Sequence, residues 1–110
     1  MKVNDSIKNL YKVIADRKNN PMEGSYTCYL FDEGLNKILK KCGEECSEVI
    51  IASKDDDHES LKNEICDLLY HLVVLMVDRG IRLDEIDDIL EERRQKIKNR
   101  KVPHKCDKNS

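Results

Sequence analysis

The sequence predicts an all-α fold: about four main helices with a central antiparallel helix hairpin, the core completed as a dimeric bundle. Three observations carry this. Apolar residues recur at helical spacing along four segments. The 110 residues include no Trp and one Phe, so the core is aliphatic, which suits helix packing. Two long periodic segments flank the polar turn Asp55-Asp56-Asp57, which folds them back on each other.

The first helix runs from Val3 to about Arg17. Val3, Ile7, Leu10, Tyr11 and Ile14 repeat at helical spacing, and Asp5 or Ser6 can cap the start. Pro21 and Gly24 break the pattern in the loop from Arg17 to Thr27. That loop holds two basic residues, two hydroxyls and an aromatic ring, and reads either as a surface connector or as a phosphate- or sugar-contacting loop. Tyr29-Leu30-Phe31 forms a short apolar turn ended by Gly34.

The next helix spans about Leu35 to Lys54. At roughly 100° per residue, Leu35, Leu39, Cys42, Cys46, Val49 and Ile50 share one stripe. Gly43 inside it costs roughly 1 kcal/mol of helix propensity relative to Ala; either another backbone or a ligand approaches it, or it is tolerated without reason. Asp57 caps the following helix, which ends near Asp78-Arg79 with Gly80 as C-cap. Its stripe is Leu61, Ile65, Leu68, Leu72, Leu75 and Met76. The stretch from Leu68 to Val77 is apolar nearly all round, so cover from a partner subunit is expected. The last helix begins near Leu83, with Asp84 and Glu85 in its first turn. A single domain is expected over residues 1–101. Residues 102–110 are expected to form a basic, flexible tail.

Net charge is −2, so the broad basic footprint of a nucleic-acid binder is absent. No run approaches the roughly 20 apolar residues of a membrane span, and the N-terminus lacks a secretory apolar run. A cytoplasmic protein is expected. Five cysteines, an odd number without a CxxC pair, argue against a disulfide framework and against structural zinc. Cys42 and Cys46 read as small buried hydrophobes, and His104-Lys105-Cys106 as solvated.

The chemistry concentrates between Gly43 and His71. Glu45 and Glu48 share one flank of the first hairpin helix with Lys41, and Glu64, Asp67 and His71 share a flank of the second. Counting from Asp56, Glu48 and Glu64 are each eight residues away, and Glu45 and Asp67 each eleven. Four carboxylates thus stand at matching heights and repel one another unless a cation joins them. Oxygen-only ligands favour a hard ion, Mg²⁺ or Mn²⁺. Glu44 points away from the stripe, toward solvent or a second shell around the cation. Lys41 pairs with Glu45 or reaches a phosphate. His71 is expected to be a packed histidine bonded to a carboxylate. A ferritin-like di-metal site needs Glu-x-x-His; three positions beyond Glu45 and Glu64 stand Glu48 and Asp67 instead.

The order EExxE, gap, ExxD resembles the MazG-like all-α nucleoside-triphosphate pyrophosphohydrolases. PMEGSYT, KILKKCGEECSEVIIASK and EICDLLYHLVVLM narrow the likeness to the phosphoribosyl-ATP pyrophosphatase family of histidine biosynthesis, from roughly Leu10 to Arg94. The resemblance implies Mg²⁺-dependent hydrolysis of phosphoribosyl-ATP to phosphoribosyl-AMP and pyrophosphate. It implies metal ligands at Glu45, Glu48, Glu64 and Asp67, with Glu44 the first residue of the motif, and substrate contact at Ser25, Tyr26 and Thr27. Met22 stands where relatives often have proline, and Tyr29 where many carry lysine. The stand-alone form, without a cyclohydrolase domain, is expected.

On that basis water attacks the α–β phosphoanhydride, with Glu44 or Glu48 as base. Lys40 or Lys41, with Arg17 or Lys18, neutralises the outer phosphates. Two other readings remain: a house-cleaning pyrophosphatase of the same fold acting on dUTP or a damaged triphosphate, and a non-catalytic helical dimerisation module.

Overall fold

The computed structural model describes residues 3–98, with side chains from Asp5 onward. Five helices follow in order: α1 Val3–Asn19, α2 Tyr26–Glu33, α3 Leu35–Lys54, α4 His58–Arg79 and α5 Leu83–Lys98. Among the described residues there is no strand, so the fold is all-α. The expected tail lies outside the described residues. Contacts divide the chain after Gly80 into two units, one holding α1 to α4 and one holding α5.

Local chemistry sets the ends of each helix. Asp57 has extended backbone and its carboxylate accepts from the Ser60 amide at 3.1 Å, which starts α4. Gly80 takes φ +74 and ψ 24, the left-handed cap that stops it. Asp56 is the one described non-glycine residue with positive φ, +56, as the tight α3–α4 turn requires. The hairpin therefore closes where the three aspartates stand.

One expected element is different. The Tyr29-Leu30-Phe31 stretch is not a turn but part of α2, an eight-residue helix. Ser25 caps it, its Oγ accepting from the Cys28 amide at 3.2 Å. Gly34, at φ +93, ends α2 and opens α3. Ser25 is thus a helix cap, and Tyr26 and Thr27 are helical rather than loop residues.

In the first unit, α1, α2, α3 and α4 pack around Ile14, Leu30, Ile38, Val73, Val74 and Val77. Each contributes roughly 1.5–3 kcal/mol by leaving water. The buried faces are rotated from the expected stripes. On α3 the inner side carries Ile38 and Ala52, while Leu39, Cys46 and Ile50 are exposed. On α4 it carries His71, Val73, Val74 and Val77, while Ile65, Leu69 and Leu72 are exposed. The reason is that α1 and α2 lie against the sides of α3 and α4 that bear Ile38 and Val73, and a periodicity count cannot say which flank receives them. In the second unit, Glu85 closes the start of α5 by accepting from the Arg82 amide at 2.7 Å, and no α5 residue is buried.

Candidate active site

Three carboxylates converge where α3 meets α4. Oxygens of Glu45, Glu64 and Asp67 all lie within 4.8 Å of one another. Glu45 comes from α3 and the other two from α4. Glu48, one turn along from Glu45, is exposed and outside this triplet, although its charge reaches Glu64. The convergence has an electrostatic signature. The Glu64 carboxyl is pushed up from its ordinary value, first by desolvation, then by the charge of Asp67, a hydrogen bond with Glu45 and the charges of Glu45 and Glu48. An all-oxygen set of crowded carboxylates, partly shielded from water, fits a hard divalent cation.

Lys41 bridges the edge of this patch. Its Nζ is 3.2 Å from Glu44 and 3.9 Å from Glu45. The hydrogen bond from Lys41 to Glu44 holds the ammonium pKa above its usual value. The nearer partner is thus Glu44, at i+3, rather than Glu45. Lys40 is exposed. Arg17 turns to Asp16 at 3.1 Å, and Lys18 Nζ lies 5.8 Å from the centre of the Phe31 ring. Neither makes an ion pair with the triplet. A Cβ on Gly43 would meet nothing within 4 Å, so no described residue beyond its own helical turns crowds that glycine.

Beside the carboxylates lies a set of rings. His71 is buried, and its Nδ1 is 2.7 Å from the Asp67 carbonyl oxygen. A carbonyl only accepts, so Nδ1 carries the proton. In the neutral ring Nε2 then accepts from the Tyr26 hydroxyl at 3.0 Å. His71 is packed as expected, but its partners are a carbonyl and a phenol, not a carboxylate. It ties α2 to the turn of α4 that carries Asp67. Tyr70 and Thr27 share a second hydroxyl pair between the same helices. The Cys42 thiol donates to the His71 carbonyl at 3.6 Å, and burial pushes that thiol up, keeping it protonated. Burial likewise raises the Tyr26 phenol, an effect partly offset by Lys41.

Tyr26 also lines a groove of about 620 Å³, whose walls include Met22, Glu23, Ser25, Tyr29 and Asp32. Cys28 pins its floor: Sγ accepts from the Met22 amide at 3.3 Å and donates to the Arg17 carbonyl at 3.5 Å. Sequence reasoning missed Met22, Glu23, Tyr29 and Asp32 as site residues. The available signal was Ser25 as a cap, which makes Tyr26, Tyr29 and Asp32 or Glu33 neighbours along a helix.

Residues 7–94 match the sequence profile of the family described as phosphoribosyl-ATP pyrophosphohydrolase. The chain is 57% identical to the phosphoribosyl-ATP pyrophosphatase of Clostridium botulinum strain Hall over 105 residues, 96% of each chain. It is 57% identical to that of Clostridium acetobutylicum over 101 residues, 92% of each. Against the Streptococcus thermophilus protein of the same name it is 50% identical over 93 residues, 84% of this chain and 89% of the other. With this coverage, a match running through both carboxylate helices and the α2 region, the chain belongs to the phosphoribosyl-ATP pyrophosphohydrolase family.

Proposed function

We propose that this protein hydrolyses phosphoribosyl-ATP to phosphoribosyl-AMP and pyrophosphate, a step of histidine biosynthesis in the cytoplasm, at the Glu45–Glu64–Asp67 triplet. The convergence of those carboxylates from two helices carries the reading, in a chain 57% identical to named phosphoribosyl-ATP pyrophosphatases. Five acidic side chains at one patch, Glu44, Glu45, Glu48, Glu64 and Asp67, against Lys40 and Lys41, would repel a polyphosphate. Mg²⁺ or Mn²⁺ held by Glu45, Glu64 and Asp67, with Glu48 alongside, would supply the charge neutralisation and polarisation of phosphate oxygens that the reaction needs.

The chain's own groups do the rest. Glu44 is tied to Lys41, so Glu48, with no ion-pair partner among the described residues, is the better base for the attacking water. Lys41 keeps its charge and stands at the rim, ready to offset an outer phosphate once substrate competes for it. Tyr26, held by His71, fixes the side of the site that faces α2. Among the described residues no helix is long and apolar enough to cross a membrane.

A homodimer belongs to the same reading. Leu39, Cys46 and Ile50 on α3 and Ile65, Leu69 and Leu72 on α4 form exposed apolar stripes on the hairpin. Apolar stripes of this extent on a small chain fit burial against a second copy.

The test is Glu45→Gln and Glu48→Gln at saturating Mg²⁺. Glu45→Gln is expected to lower turnover at least about 100-fold, since replacing even an outer-sphere partner of a metal costs 10–100-fold. Full activity in either variant would remove that residue from the machinery.

A further inference from the structure

The groove between Pro21 and Asp32 has a composition that the carboxylate triplet does not explain. Two tyrosine rings stand in it, Tyr26 and Tyr29, their centroids 6.0 Å apart and planes 26° apart, each 44% exposed. Met22, 54% exposed, lies at its edge. Glu23 and Asp32 are in its walls, and among the described residues neither has an ion-pair partner and no Lys or Arg lines the groove. Lys37 is not one of the wall residues, but its Nζ lies over the Tyr29 ring, 5.7 Å from the centre, and hydrogen-bonds the Tyr29 side chain, so this ring already holds one cation. A wall set with two carboxylates disfavours phosphate. Exposed aromatic faces beside carboxylates attract a flat cation.

The proposed substrate contains such a group. Phosphoribosyl-ATP carries its second ribose on N1 of adenine. Alkylation at that nitrogen turns the ring into an amidinium, which stays protonated near neutral pH, whereas the adenine of ATP is neutral there. We propose that this groove is the base subsite: Tyr26 and Tyr29 receive the cationic N1-substituted adenine on their faces, and Glu23 and Asp32 supply the countercharge. The inference rests on the proposed function and adds the group that tells phosphoribosyl-ATP from ATP.

The placement agrees with the chemistry. Tyr26 is shared: its ring borders the groove, and its hydroxyl bonds His71, one turn of α4 from Asp67. A nucleotide with its base in the groove would thus share Tyr26 with the turn of α4 that carries Asp67. Lys41 and Glu45 lie close enough for their charges to act on the Tyr26 phenol. Discrimination by charge and ring face is also economical against ATP, which differs only in lacking the N1 substituent.

The experiment uses N1-methyl-AMP and AMP as probes, titrated calorimetrically into the full chain at pH 7 with Mg²⁺ present. Wild type is expected to bind N1-methyl-AMP about tenfold more tightly than AMP, in line with a desolvated cation–π contact plus one charge pair. Glu23→Gln/Asp32→Asn is expected to abolish that preference. The same variant is expected to raise KM for phosphoribosyl-ATP about tenfold with kcat within about twofold, which a merely structural change would not do. Tyr29→Leu provides a second variant with the same expected loss of preference, and circular dichroism checks that both remain helical. Equal affinity for the two probes in wild type, or a preference that survives both variants, would overturn the proposal. Calorimetry reads the groove without turnover. A wild type that prefers N1-methyl-AMP but makes no phosphoribosyl-AMP would therefore sink the proposed reaction and leave the cation groove standing.

Discussion

His71 lies 2.7 Å from an oxygen that can only accept, and this one contact fixes its tautomer and makes Tyr26 a donor. Tyr26→Phe removes that donor and leaves the His71 nitrogen unpaired in a buried place. A loss of about 1 kcal/mol is expected, read as a fall of about 4–8 °C in Tm. Glu64 makes the opposite prediction. Its pKa lies above the ordinary 4.5, so its contribution to stability is full below that value and is lost as pH rises through the raised one. At neutral pH the metal-free protein is strained by its own carboxylates. Glu64→Gln should therefore raise the Tm of the metal-free protein while abolishing the rise that Mg²⁺ gives the wild type, a rise worth about 2.7 kcal/mol at a hundredfold excess over Kd. A thermal melt of both proteins with and without Mg²⁺ checks this, and a wild type indifferent to Mg²⁺ would contradict it. At this scale the sequence was informative about acidic residues. Spacing from Asp56 gave Glu45, Glu64 and Asp67 together. It could not give the aromatic partners, because Tyr26 and His71 are 45 residues apart and meet only through packing.

The helices were legible where their end signals were strong. Asp57 and Gly80 bound α4, and the three aspartates mark the turn before it. Asp57→Ala is expected to cost about 1 kcal/mol through loss of the bond to the Ser60 amide, measured by urea unfolding. The helix α2 was hidden because eight residues give barely two turns of periodicity, too few to tell from an apolar turn. Its cap, Ser25, stands in the stretch for which the family resemblance implies substrate contact. The α3 and α4 faces were misjudged for a related reason. Both carry apolar residues on more than one side, so the count alone favours an averaged stripe over the face that α1 and α2 cover. In α5, Arg94 clasps Glu91 with bonds of 2.9 and 2.7 Å, and Gln95 adds a third. These bonds hold the Glu91 carboxyl down to about 2. The sign follows: this contribution to α5 is present above the ordinary 4.5 and fades as pH falls toward about 2. An NMR titration of the Glu91 side chain should show its midpoint near that value; a midpoint at 4.5 would mean the clasp does not persist in solution.

For the whole molecule, residues that a lone chain leaves wet are part of the account. Leu39, Ile50, Ile65, Leu69 and Leu72 are apolar yet exposed on the hairpin. Leu69→Glu is expected to shift sedimentation from a dimer to a monomer by placing a charge in an interface core; a wild type that sediments as a monomer at micromolar concentration would contradict the dimer. The sequence anticipated the need for cover from the apolar run through α4, but not which residues would need it. The reaction itself is tested most directly by mass spectrometry of the products formed from phosphoribosyl-ATP, with Mg²⁺ and with EDTA, beside parallel incubations with ATP and dUTP. The account predicts phosphoribosyl-AMP and pyrophosphate from phosphoribosyl-ATP alone, and only with the metal. Turnover of dUTP in its place, or equal yield in EDTA, would contradict it.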